Sequence, residues 1–177
     1  MPIFASINIE KDGGANKSLL HLKMISEQTI QKLVEDKING TPVFLVQAKV
    51  KPANKIEVFV DEPNHISIET CIAISKHIEA NLDREAEDFE LIVSSPGIDE
   101  AFTVLPQYQK YYGKQVGVIK KDGIKIIGSL VNADETTITI EVKTTERKQV
   151  GKGKQTVINN VTIDLDKIKE TKLILPF

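Results

Sequence analysis

The residues best suited to bind a charged ligand lie close together, at positions 143–156. This stretch has a single acid, Glu146, against five basic residues: Lys143, Arg147, Lys148, Lys152 and Lys154. Two glycines favour a long polar loop, from which the cations could reach the phosphates of a nucleic acid and release bound counterions. The stretch has no aromatic side chain, so we expect contacts with the nucleic-acid backbone and not with the bases. A solvated hairpin loop is the alternative interpretation.

Three tyrosines form a second group, at Tyr108, Tyr111 and Tyr112. Tyrosine rings can stack on nucleobases. Tyrosines are also common where two surfaces of a protein meet, because the ring is apolar and the hydroxyl is polar. For a cluster between two predicted domains, we favour packing between the domains over base stacking.

Side chains for catalysis are not grouped in the sequence. It has no glycine-rich phosphate loop and no G-x-S-x-G nucleophile turn. Cys71, the only cysteine, lies on an apolar stripe of a predicted helix, where a buried thiol is more common than a nucleophile. One cysteine and three histidines cannot supply a closed zinc site. We therefore predict a protein that is not an enzyme and has no cofactor, metal or small-molecule substrate.

The sequence also indicates where the protein acts. A single cysteine is typical of a reducing compartment. The first 16 residues lack the features of a signal peptide. No run approaches the roughly 18 apolar residues that a membrane-spanning helix needs. We expect a cytoplasmic protein without a membrane partner.

Opposite charges divide the chain into two parts. Residues 1–100 contain 10 Lys/Arg and 17 Asp/Glu, a net charge of −7, whereas residues 101–177 contain 13 and 8, a net charge of +5. This division indicates two domains, which either have different partners or attract each other.

The first part is predicted to form an α-β-β-α-β domain. Ser26 and Ser67 are suited to cap two helices, and Asn39-Gly40 to end the first of them. Alternating apolar residues predict strands at positions 43–50, 55–60 and 89–93. The second helix should bury one stripe, formed by Ile68, Cys71, Ile72, Ser75, Ile78 and Leu82. We expect a right-handed crossover, with both helices on one face of the sheet.

The second part is predicted to consist of strands. They lie at positions 115–121, 124–131, 136–142, 157–164 and 171–175, with Asp122-Gly123 as the first hairpin turn. Five short strands in about 60 residues predict a small barrel of the SH3-like or Sm-like type. The predicted fold class is therefore α+β. Its divisions are a flexible N-terminal extension at 1–24, with Met24 as an alternative translation start, an α/β domain at 25–98, a linker at 99–114 and the barrel at 115–177.

The end of the first domain contains a recognisable signature. The stretch Glu90-Leu91-Ile92-Val93-Ser94-Ser95-Pro96-Gly97-Ile98-Asp99 resembles that of the bacterial ribosome maturation factor family, RimP. Positions 67–71 and 163–173 are also similar to that family. The resemblance implies an α/β domain joined to an Sm-like barrel, and it marks Ser95, Pro96, Gly97 and Asp99 as junction residues. Many members have a basic residue and a proline where this chain has Glu100-Ala101, so we do not expect a phosphate contact there.

The resemblance also implies a function. RimP proteins bind the maturing small ribosomal subunit near the future decoding centre, contact a ribosomal protein there and use neither nucleotide nor metal. We therefore predict a ribosome maturation factor whose acidic domain binds a basic ribosomal protein and whose basic barrel contacts rRNA or the same protein. A general Sm-like RNA-binding protein or RNA chaperone is the first alternative, and an enzyme is the second.

Overall fold

The computed structural model describes residues 25–147 and 153–175, so the predicted extension at 1–24 lies outside the described residues. The helices are α1 (Glu27–Ile38), α2 (Ile68–Asn81) and α3 (Leu105–Lys110). The strands are β1 (Phe44–Lys51), β2 (Lys55–Asp61), β3 (Glu90–Ser94), β4 (Gln115–Lys120), β5 (Lys125–Ala133), β6 (Thr137–Arg147), β7 (Lys154–Asp164) and β8 (Ile168–Leu173). None of the helices in the described ranges is long and apolar enough to cross a membrane.

The first sheet has the strand order β1-β2-β3 and confirms the predicted order of elements. β1 pairs with β2 antiparallel, whereas β2 and β3 are parallel because α2 connects them. α1 contacts both α2 and β1, and α2 contacts β3, so both helices cover one face of the sheet. The predicted serine caps are also present: the hydroxyls of Ser26 and Ser67 accept hydrogen bonds from the N–H groups of Thr29 and Thr70, each at 3.1 Å.

The first hydrophobic core lies between these helices and the sheet. Its buried members are Ile30, Val34, Ala48, Ile56, Val58, Val60, Ile74, Ile78 and Phe89. α1 contributes Ile30 and Val34, which are four residues apart and therefore lie one above the other on the same helix face.

α2 is rotated relative to the predicted stripe. Ile74 and Ile78 are buried, whereas Ile68 and Ile72 are 75% and 48% exposed. At about 100° per residue, Ile74, Ile78 and the half-buried Cys71 fall within about 60° of the helix circumference, and Ile68 and Ile72 lie outside that arc. The sequence pattern did not distinguish the two faces, because isoleucines occur on both.

The second sheet has the strand order β7-β6-β5-β4-β8, and all its neighbouring strands are antiparallel. The predicted Asp122-Gly123 turn joins β4 to β5, with Gly123 at a φ of +88°. The second hydrophobic core lies on one side of this sheet and consists of Phe102, Tyr108, Val116, Val118, Leu130, Ala133, Ile138, Ile140 and Ile163. Two of these residues, Phe102 and Tyr108, come from the predicted linker at 99–114, which contains α3.

The prediction of a long polar loop at 143–156 is wrong. β6 and β7 pair residue by residue as far as Arg147 and Lys154, so most of the predicted loop is strand. The reason lies in the threonines of this stretch and in Val157, which are β-branched. Such residues favour an extended backbone even where their neighbours are polar and exposed.

Candidate nucleic-acid interface

A two-stranded β-ribbon extends from the second sheet. The pairing of β5 with β6 ends at Glu141, whereas the pairing of β6 with β7 continues to Arg147. We call residues 142–147 of β6 and 154–159 of β7 the ribbon. Because its strands pair with each other beyond the end of β5, the ribbon presents two faces of side chains.

Strand register sorts the ribbon's residues by charge. One face contains the pairs Lys143↔Ile158, Thr145↔Thr156 and Arg147↔Lys154. The opposite face contains the pairs Val142↔Asn159, Thr144↔Val157 and Glu146↔Gln155. Val142 packs against the second core, so the face of Lys143 is turned away from that core. Successive side chains of a strand point to opposite sides, and this alternation separates the basic positions from Glu146.

The five candidate cations are thus only partly placed. Lys143 and Lys154 are exposed and lie on the outward face of the ribbon. Arg147 is placed on that face by the register of its backbone. Lys148 and Lys152 lie outside the described residues. The sequence identified the cations. The common face of Lys143, Arg147 and Lys154 follows only from the pairing of β6 with β7, whereas the prediction of a loop implied no pairing there.

The outward face of the ribbon is chemically suited to bind a phosphate backbone. The Lys143 ammonium is 3.9 Å from a Glu141 carboxylate oxygen, and its side chain is 61% exposed. An ion pair this long and exposed contributes little, so the ammonium stays available. Thr145 and Thr156 add exposed hydroxyl donors beside the cations. Alternate positions on a strand are about 7 Å apart, so the face offers a row of separate donors.

The signature residues form the connection between the two sheets. Ser95, Pro96 and Gly97 follow directly after β3, and the Glu100 N–H donates a hydrogen bond to the Gly97 carbonyl at 3.0 Å. A Cβ atom on Gly97 would lie 2.9 Å from Oδ1 of Asp99, an exposed side chain that would have to turn aside. Shortly after the turn, the chain reaches β8, where the Phe102 N–H donates to the Thr171 carbonyl at 2.9 Å.

An ion pair fixes the same junction from a different side. Both carboxylate oxygens of Asp61, at the end of β2, are 2.8 Å from the Lys110 ammonium at the end of α3. The side chains are only 7% and 11% exposed. The two residues are far apart in the sequence, and no local pattern connects them, so the sequence analysis missed this pair.

Tyr108 lies in the second core and Tyr111 packs against it, whereas Tyr112 is 39% exposed and is held through its hydroxyl. Tyr108 is buried, which raises the pKa of its hydroxyl, and it donates a hydrogen bond to Thr171 at 3.3 Å. The Tyr111 ring stacks on Phe102 with 5.1 Å between centroids. The Tyr112 hydroxyl both donates to the carbonyl and accepts from the N–H of Ala133. Tyr111 also lines a cleft between the two sheets, together with Asp61 and the signature residues Ser95, Pro96 and Gly97.

The side chains that could bind a metal ion or act as a nucleophile are Cys71 and the His, Asp and Glu residues. Burial raises the pKa of the Cys71 thiol, which therefore stays protonated and poorly nucleophilic at neutral pH. Among residues 25–147 and 153–175, no three side chains of His, Cys, Asp or Glu are grouped so that they could hold a metal ion.

Known proteins resemble the chain over most of its length. The model of the RimP N-terminal domain matches residues 29–99. A protein of Christiangramia forsetii named Ribosome maturation factor RimP is 36% identical over 156 residues, which are 88% of this chain and 99% of the relative. Proteins of the same name from Flavobacterium psychrophilum and Porphyromonas gingivalis are 34% and 30% identical over 87% and 86% of this chain, and each match covers 100% of the relative.

Identity at this level over the whole length of the relatives defines the class, which is that of the ribosome maturation factors. The chain belongs to the RimP family of that class. The resemblance seen in the signature at 90–99 is thereby confirmed.

Proposed function

We propose that this chain binds the immature small ribosomal subunit and assists its assembly without catalysing a reaction. Its membership of the RimP family supports the role in ribosome maturation. The observation that carries the binding is the ribbon, whose outward face collects basic positions while the single acid lies on the other face. The partners are rRNA and a ribosomal protein near the decoding centre, and the site of action is the cytoplasm.

The proposal includes a division into two domains, 25–98 and 115–177, joined by a linker at 99–114 whose Phe102 and Tyr108 pack into the second core. The second domain would be a small Sm-like barrel. β7 and β8 are at opposite edges of the sheet, which in a flat sheet would separate them by four strand spacings, about 19 Å. Only Leu165–Lys167 connects them, and the four steps from Asp164 to Ile168 span at most about 14 Å. This short connection supports a sheet that curls until its two edge strands approach each other.

The hydrogen bonds of that connection support the same curvature. The Leu165 N–H donates to the Thr136 carbonyl, just before β6, at 2.8 Å. The Lys167 carbonyl accepts from the Lys121 N–H, just after β4, at 2.8 Å. One short turn thus contacts the residue before β6 and the residue after β4. Such contacts are expected when the strands of a sheet close around a core.

Removing the ribbon's cations should weaken binding to immature small subunits. Replacing Lys143, Arg147 and Lys154 together with alanine removes up to three phosphate contacts, so the slope of log affinity against log salt should become shallower by about 2. Binding measured by sedimentation at several salt concentrations checks this. The folded state should be unaffected, since the described side chains among the three are exposed.

A matched control variant loses the same three positive charges from another part of the protein. Lys32, Lys49 and Lys76 are exposed and lie on the first sheet and its helices. Their triple replacement with alanine should leave both the affinity and the salt slope close to those of the unchanged protein. Equal losses in the two triple variants would mean that net charge, and not the ribbon, governs binding.

The alternative role, a general Sm-like RNA-binding protein or RNA chaperone, makes a different prediction. It requires that the chain binds free single-stranded RNA tightly, without the ribosomal subunit. Such binding commonly uses aromatic side chains that stack on the bases. The burial of Tyr108 in the second core removes its ring from such stacking. Binding to unstructured RNA that equals binding to the immature subunit would favour this alternative.

A further inference from the structure

The outward face of the ribbon has short side chains in its middle and long cations at its corners. Thr145 and Thr156 form the central cross-strand pair, and both are exposed. Lys143 lies on β6 at one end of the ribbon, and Lys154 lies on β7 at the other end. Four residues along the strands and one strand across place their Cα atoms about 14 Å apart. The two cations therefore flank a surface of short side chains that carry hydroxyls.

The base of the ribbon limits where a phosphate can approach. Glu141 lies on the same face next to Lys143, and its cross-strand neighbour is the neutral Asn160. The Glu141 carboxylate repels phosphates, so the face becomes unsuited to them where the ribbon joins the sheet. Ile158, opposite Lys143, is 56% exposed and offers an apolar contact. The surface suited to a nucleic acid is therefore the outward face of the ribbon itself.

Two kinds of RNA surface fit this face poorly. The ribbon has no aromatic side chain, so it lacks the groups on which the bases of a single strand commonly stack. The major groove of an A-form RNA helix is deep and narrow, and side chains cannot read the base edges inside it. Neither an unpaired strand nor the major groove of a duplex therefore uses the threonine pair.

The minor groove of an A-form RNA helix fits the same face well. This groove is wide and shallow, and it displays the 2′-hydroxyls between the two phosphate backbones. The hydroxyls of Thr145 and Thr156 can both donate hydrogen bonds to a 2′-hydroxyl and accept them from it. Lys143 and Lys154, at opposite corners, can each neutralise a phosphate of a different strand.

We propose that the ribbon binds double-stranded rRNA across its minor groove, with Thr145 and Thr156 on the 2′-hydroxyls and Lys143 and Lys154 on the phosphates of the two strands. This inference rests on the proposed function and names the class of RNA that the basic face accepts. Recognition of this kind depends on the A-form shape and on ribose, and not on the base sequence. The ligand of the ribbon is thus a helical element of the immature subunit.

The affinities of the full chain for three probes test the proposal. The probes are an RNA duplex of about 16 base pairs, a DNA duplex of the same sequence and one unstructured strand of the RNA alone. Fluorescence anisotropy should show that the RNA duplex binds at least fivefold more tightly than either of the other two. Equal affinity for the DNA duplex or the single strand, or no binding of the RNA duplex, would overturn the proposal.

Removal of the threonine hydroxyls provides the second measurement. Thr145→Val combined with Thr156→Val keeps the β-branched shape, and the preference for the RNA duplex over the DNA duplex should fall below twofold. Thr139 and Thr162 form a matched cross-strand pair on the same face, beyond Glu141, with their hydroxyl oxygens 3.3 Å apart. Their replacement with valine should leave the preference unchanged. An unchanged preference in the ribbon variant would contradict the role of its hydroxyls.

The proposed function and this inference fail in different ways. If the unchanged protein does not sediment with immature subunits, the proposed function is wrong. If it does sediment with them but shows no preference for the RNA duplex, only the assignment of a duplex to the ribbon is wrong.

Discussion

Replacing Gly128 with alanine should lower the free energy of unfolding by about 3 kcal/mol or more, an effect at or beyond the upper end of ordinary overpacking. A Cβ atom at this position would lie 2.6 Å from Cγ2 of Ile140 and would also overlap the carbonyl oxygen of Glu141 on β6. The β6 backbone cannot easily retreat, because it is paired with β7 on its other side. Urea denaturation followed by circular dichroism measures the loss.

Gly117 provides the matched control for this substitution. It lies in β4 of the same sheet, and a Cβ atom there would be 3.4 Å from its nearest neighbour, the Ile174 side chain, which is ordinary contact. Gly117→Ala should change the unfolding free energy by about 1 kcal/mol or less. A similar loss in both variants would show that glycine conformational freedom matters here, and not the close approach of β5 to β6.

Breaking the ion pair between Asp61 and Lys110 should produce the second large effect. Lys110→Met leaves a carboxylate at 7% exposure without its cation. An unpaired buried charge of this kind costs about 3–5 kcal/mol. Thermal or urea denaturation measures this loss, and small-angle X-ray scattering should detect a wider distribution of arrangements between the two sheets, because the pair links β2 to α3.

A double substitution separates the charge from the packing. Asp61→Asn keeps an oxygen that can accept the hydrogen bond of the Glu62 N–H, now 2.9 Å from Oδ1. Combined with Lys110→Met, it should recover more than half of the stability lost in the single variant. Lys167→Met, which breaks the exposed pair with Asp164, should have little effect. No recovery in the double variant would mean that the Lys110 side chain acts through packing alone.

Most of the local structure could be predicted from the sequence. The serine caps, the Asp122-Gly123 turn and the alternation in β2 depend on neighbouring residues, and the structure has all three. Each works over a few positions, so its physical cause can be read without knowledge of the fold. The signature turn at Ser95, Pro96 and Gly97 belongs to the same group of local features.

Features that depend on distant residues could not be read in this way. Polar residues at 143–156 predict a loop, and only the pairing of β6 with β7 turns them into a ribbon with a basic face. The buried face of α2 is rotated about the helix axis relative to the predicted one. The choice between Ile72 and Ile74 depends on how the helix packs against β3, which the sequence does not show. The Asp61–Lys110 pair joins elements that are separated by more than forty residues.

Sedimentation through a sucrose gradient tests the central claim most directly. The tagged chain is expressed in bacterial cells, the lysate is fractionated, and every fraction is probed for the tag and for precursor rRNA of the small subunit. We predict that the protein sediments with free small subunits that contain precursor rRNA, and that it is depleted from complete ribosomes. Recovery only at the top of the gradient, at low as well as moderate salt, would contradict binding to the immature small subunit.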